Sequence, residues 1–138
     1  MIEFRNLERS LLNLSEQLQN LQESGNRPEL TNLDREALRE SVIQRFELAY
    51  ELTWKFLKRY MTEVLGLTDV PSSPKPIFRL ADQNGLLDAR IEAWLTYANA
   101  RINTAHDYSG EKAQATLTLL PEFLIDAQQV YRSMTSSP

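Results

Sequence analysis

The 138-residue chain contains no cysteine and a single histidine. The first absence excludes disulfides, cysteine-ligated zinc, iron–sulfur clusters and thiol catalysis. The second excludes an HExxH zinc site and any pair of histidines within one chain. Four valines stand against 22 leucines and 11 alanines, a balance that favours helix over strand. Four glycines and six prolines leave few interruptions, so the helices should be few and long. No segment alternates apolar and polar residues with strand-like punctuation. No apolar run approaches the roughly 20 residues that span a bilayer. The net charge is only −4, which argues against coating nucleic acid by bulk charge but leaves room for a local site. The start, Met1-Ile2-Glu3-Phe4-Arg5, lacks the basic, apolar and small-residue regions of a secretory leader, so a cytoplasmic protein without membrane association is expected. Length argues for one domain over residues 1–138, burying roughly two-thirds of its unfolded surface and ending in a frayed tail at 135–138.

Helical spacing is present almost throughout. Phe4, Leu7, Leu11, Leu14, Leu18 and Leu21 step by three and four, predicting a helix from about Glu3 to Glu23 closed by Gly25. A second helix should run from Leu33 to Leu65, capped by Thr31 or Asn32 and ended by Gly66. Its apolar residues are too many for one narrow stripe, so it should be central, with neighbours on several sides or a second subunit on one. Ser73-Pro74 reads as the start of a short helix closed by Asn84-Gly85. A fourth helix should start with Asp88 as its cap and continue to about Arg101. The last covers about Glu111 to Met134, with Pro121 expected to kink or divide it. The first and last helices share a repeat that suits packing at a shallow angle. The fold class is therefore all-α, a bundle of four or five helices.

Chemistry concentrates in Ala100-Arg101-Ile102-Asn103-Thr104-Ala105-His106-Asp107-Tyr108. His106 alone has an ordinary pKa suited to proton transfer near neutrality. Arg101 suits a phosphate through parallel hydrogen bonds, and Asn103 and Thr104 suit ligand positioning. A five-residue step on an ideal helix leaves Arg101 and His106 about 140° apart. They meet only if the helix ends between them or a symmetry mate contributes. Elsewhere, Glu47, Glu51 and Lys55 step by four and read as a solvated or intersubunit stripe, with a metal site as the weaker alternative. Trp54 and Trp94 read as core residues, not as base-stacking platforms.

The run Arg45-Phe46-Glu47-Leu48-Ala49-Tyr50-Glu51-Leu52-Thr53-Trp54-Lys55-Phe56-Leu57-Lys58 resembles the central helix of the nucleotidyltransferase substrate-binding proteins, small helical bundles of the HEPN superfamily. The likeness continues through Ser73-Pro74-Lys75-Pro76-Ile77-Phe78-Arg79-Leu80-Ala81, Gly85-Leu86-Leu87 and Trp94, and ends in the Arg101–Tyr108 window. The resemblance implies an antiparallel helical bundle that forms a homodimer and binds a minimal nucleotidyltransferase encoded nearby. It implies a HepT-like toxin of a toxin–antitoxin pair, a metal-independent endoribonuclease with RNA as substrate and no cofactor. The family's Arg-x4–6-His motif falls on Arg101 and His106 as catalytic residues. In a related branch the motif extends to a tyrosine that the nucleotidyltransferase silences by adding AMP, and Tyr108 occupies that position. The family usually carries a polar residue directly after the arginine and often an acid before it; here Ile102 and Ala100 stand there, and asparagine follows one place later as Asn103. That departure keeps open a non-catalytic module that docks on, or presents substrate to, the nucleotidyltransferase.

Overall fold

The structure is a computed structural model and describes residues 1–105 and 110–136. Among the described residues it is all-helical: α1 (Arg5–Glu23), α2 (Asn32–Glu63), α3 (Pro74–Gln83), α4 (Ile91–Thr104) and α5 (Gly110–Thr135), with no strand.

The helix ends follow local chemistry. Thr31 caps α2 through a reciprocal box: its hydroxyl accepts from the Asp34 N–H at 3.0 Å, and its own N–H donates to the Asp34 carboxylate at 2.9 Å. Gly85 closes α3 at φ 72°, a left-handed conformation that costs glycine little. The Leu86 N–H then reaches back to the Ala81 carbonyl and the Gly85 N–H to that of Asp82. Pro74 occupies the first turn of α3, where a missing N–H does no harm.

Three expectations about helix ends are corrected. Gly25 is not a left-handed cap of α1; it lies in a single 3-10 turn, Ser24–Asn26, beyond the helix end. Ser24 instead donates its hydroxyl to the Leu21 carbonyl, and the Arg35 guanidinium binds the Leu30 and Arg27 carbonyls, holding the α1–α2 connection from the far side. Asp88 is not the cap of α4, which starts three residues later at Ile91. Its N–H donates to buried Gln129 on α5, whose amide nitrogen in turn holds the Leu86 carbonyl. Pro121 does not divide α5; the helix is continuous from Gly110 to Thr135, with the proline on its exposed side.

Contacts along the chain set the directions. Phe4 meets both Phe56 and Tyr131, Arg45 binds the Asn13 carbonyl, and Gln17 binds Ser41. Helix α1 therefore runs antiparallel to α2 and to α5, and those two run in the same direction. Helix α2 packs against each of the other four, as its broad apolar surface predicts. Its middle, with α3, α4 and α5, encloses an aromatic cluster. Phe78 stacks on Trp94 at 4.7 Å between ring centroids, while Phe123 meets Phe46, Trp94 and Tyr97 edge-on. Trp94 is fully buried, as expected; Trp54 is not, and lies half-buried at the bundle surface with the Lys55 ammonium 5.8 Å from its ring.

Candidate active site at the end of helix α4

The aromatic cluster fixes α4 through Trp94 and Tyr97, and so sets where its last turn points. That turn carries Arg101, Ile102, Asn103 and Thr104 beside the middle of α2. The Arg101 guanidinium donates through Nη1 to Glu47 Oε2 at 3.0 Å. The Thr104 hydroxyl lies 3.0 Å from the same oxygen and 3.1 Å from the Arg101 carbonyl. The arginine side chain is 29% exposed and that of Glu47 13%, so the pair is half-sheltered from water. Such a pair holds a cation firmly only where geometry and added hydrogen bonds offset desolvation; here Thr104 supplies one of them. The Arg101 Nε is buried with no partner among the described residues, so any donor it offers the cleft comes from the ends of its guanidinium fork.

Arg101 opens onto a cleft of about 480 Å³ between α2, the start of α3 and the end of α4. Its walls are largely apolar, from Pro74, Pro76, Ala98 and Ile102, with Tyr50 at the base. Lys75 and Glu51 bring charge to its rim. Burial, and then the neighbouring Glu51 carboxylate, push the Tyr50 hydroxyl well above the ordinary tyrosine range, so it stays a neutral donor there.

The residues expected to do chemistry separate as follows. Arg101 faces the cleft and is held by Glu47. Thr104 is buried, and its hydroxyl serves Glu47 and the helix backbone. Asn103 is partly exposed, and Ile102 is 53% exposed on the cleft wall. His106 and Tyr108 lie outside the described residues. Helix α4 ends at Thr104.

Glu47 is the residue that sequence reasoning missed. With Glu51 and Lys55 it reads as a solvated or intersubunit stripe, and Glu51 does pair with Lys55 at 3.5 Å. Glu47 instead turns into the bundle and meets α4. The available signal was its neighbourhood: an acid between Phe46 and Leu48 on a helix with apolar residues on several sides needs a buried cation.

Comparison with known proteins gives a consistent picture. Residues 2–136 match the family described as nucleotidyltransferase substrate binding protein like. A Haemophilus influenzae protein named probable ribonuclease HepT is 34% identical over 87 residues, which cover 62% of this chain. The match spans 59% of that relative's own length. A crystal structure from Thermus thermophilus superposes with a TM-score of 0.75 at 30% identity, covering 94% of this chain and 98% of its own. A Haemophilus influenzae structure, described as the fold of a substrate binding domain of a nucleotidyltransferase, superposes with a TM-score of 0.83. At 23% identity, covering 96% of this chain and 98% of its own, it speaks for the fold.

Proposed function

Because the chain belongs to the nucleotidyltransferase substrate binding protein like family, we propose that it is the helical partner of a minimal nucleotidyltransferase and itself a metal-independent endoribonuclease. The observation that carries this reading is Arg101: a guanidinium held by Glu47 at a helix end and lining a cleft. That is an arrangement suited to a phosphate whose charge grows during reaction. The probable ribonuclease HepT of Haemophilus influenzae is a relative with the matching activity in its name.

In this mechanism the RNA 2′-hydroxyl attacks the adjacent phosphorus. His106 takes the hydroxyl proton, the bond from phosphorus to the 5′-oxygen breaks, and a second His106 from a two-fold mate protonates that leaving oxygen. Arg101 stabilises the charge on the phosphorane-like transition state. The nucleophile is internal to RNA and absent from DNA. One histidine per chain thus serves as both acid and base when the chain is a homodimer. Silencing follows from AMP transfer: the Tyr108 oxygen attacks the α-phosphorus of ATP on the nucleotidyltransferase, pyrophosphate leaves, and a bulky anion sits two residues from His106. The pair then works as toxin and antitoxin in the cytoplasm.

The test is cleavage of single-stranded RNA by the purified protein and its variants. His106→Ala and Arg101→Ala should abolish cleavage while both variants stay folded. Co-expression with the neighbouring nucleotidyltransferase should add one or more AMP masses, absent in Tyr108→Phe. A clean wild-type protein that cleaves no RNA yet co-purifies with the nucleotidyltransferase supports the second reading, a non-catalytic docking module. The observation that favours this alternative is Ile102, apolar and 53% exposed on the cleft wall where the resemblance leads one to expect a polar ligand.

A further inference from the structure

Two cations, Lys58 on α2 and Lys75 in the first turn of α3, have no carboxylate within ion-pair distance among the described residues. Three others each carry their own acid: Arg101 has Glu47, Lys55 has Glu51 and Arg59 has Glu63. The net positive character of this face therefore comes from Lys58 and Lys75.

These two lysines belong to one continuous surface. Lys75 lines the cleft of Arg101, together with Ser73. Lys58 donates to the Ser72 hydroxyl at 2.8 Å and lines a second open depression, of about 410 Å³, with Trp54 and Lys55. Adjacent Ser72 and Ser73 join the two depressions on the α3 side, and the Glu51–Lys55 ion pair joins them along α2. The far depression offers part of an indole, with Nε1 buried and unpartnered among the described residues. Cations that follow a backbone, set beside an aromatic ring, are the elements with which proteins hold single-stranded nucleic acid.

We propose that single-stranded RNA lies along this face of α2. The scissile phosphate sits at Arg101, the neighbouring nucleotide enters the cleft against Pro74 and Tyr50 with its phosphate on Lys75, and the next phosphate reaches Lys58 beside Trp54. From Glu47 to Lys58 the helix advances about 16 Å, enough for a few nucleotides and no more. A chain of net charge −4 thereby gains a local phosphate track without a broad basic surface. The inference rests on the ribonuclease reading above and assigns the path of its substrate.

The experiment is binding of a short, fluorescently labelled 2′-O-methyl RNA, which lacks the attacking hydroxyl, measured by anisotropy across a salt series. Lys58→Ala and Lys75→Ala should each weaken binding about threefold to tenfold and lower the slope of log affinity against log salt by about one. Lys75→Arg should retain binding, and Arg27→Ala, beyond the far end of α2, should change nothing. Circular dichroism checks that each variant is folded. Wild-type affinity and slope in both alanine variants, in a protein that does cleave RNA, overturn this path and leave the ribonuclease reading standing. A wild-type protein that neither binds nor cleaves RNA overturns both. Unchanged RNA binding with loss of nucleotidyltransferase co-purification assigns the face to the protein partner and overturns the inference.

Discussion

Arg101 and Glu47 lie 54 positions apart in sequence and 3.0 Å apart in the fold. The pair ties the end of α4 to the middle of α2, and the Thr104 hydroxyl reinforces it from the same helical turn. It sets the direction of the guanidinium and secures the wall of the cleft.

Removing the acid should cost both stability and function. Glu47→Ala leaves a half-buried guanidinium without its partner, a loss of about 1–3 kcal/mol. Glu47→Gln keeps an acceptor for Thr104 and Arg101 and should lose less. Urea denaturation gives the stabilities. If Arg101 acts as proposed, the alanine variant should also cleave RNA more slowly under conditions where it is fully folded.

The start of α2 depends on its capping box. Thr31→Ala should lower stability by about 1 kcal/mol, read as a lower urea midpoint with unchanged slope. The Thr31 N–H, followed by its hydroxyl, holds the Asp34 carboxyl below its ordinary value of 3.8. A carboxyl depressed in the folded state stabilises above that value and loses its contribution as pH falls through the lowered one. Asp34→Asn should therefore flatten the acid limb of stability against pH.

Tyr97 should shape the alkaline limb. Its hydroxyl hydrogen-bonds the Asp126 carboxylate. Burial first, then that bond, push its pKa above the ordinary 10.0. A group raised in the folded state gives stability that is whole below pH 10 and declines as pH climbs past it, because the unfolded chain ionises first. Stability measured from about pH 8 to 11 should fall with a shallower slope in Tyr97→Phe than in the wild type. At neutral pH the same variant should lose about 1–3 kcal/mol, because the Asp126 carboxylate loses its donor.

Pro121→Ala should raise the melting temperature. The proline lies inside a continuous helix on its exposed side and withholds one backbone hydrogen bond. Restoring that bond, less the extra freedom alanine gives the unfolded chain, should stabilise by about 1–2 kcal/mol. An unchanged or lower melting temperature would show that α5 has adapted fully to the proline.

Five helices and most of their limits were legible because leucine spacing and helix-end chemistry act over a few residues. Thr31 and Gly85 are examples: each acts within its own turn. Asp88 misled for the same reason. It looks like a cap locally, but the helix starts at Ile91 with Arg90 in the cap position, and the Asp88 backbone is tied to Gln129, 41 residues away. Trp54 and Trp94 sit in similar apolar surroundings in sequence, yet only Trp94 is enclosed by α3 and α5, while Trp54 stays at the surface. Local spacing contains no information on which side of a broad apolar helix its neighbours will take.

The candidate site divides along the same line. Composition and periodicity alone determined an all-helical, cysteine-free chain, because these depend on side-chain type and on a repeat of about 3.6 residues. The motif window named Arg101 as a residue able to hold phosphate. The partnership of Arg101 with Glu47, the burial of Thr104 and the cleft that Lys75 shares were decided only by tertiary packing. An ion pair forms where two helices happen to cross, and the angle and register of that crossing come from the aromatic core between them, many residues from either charge.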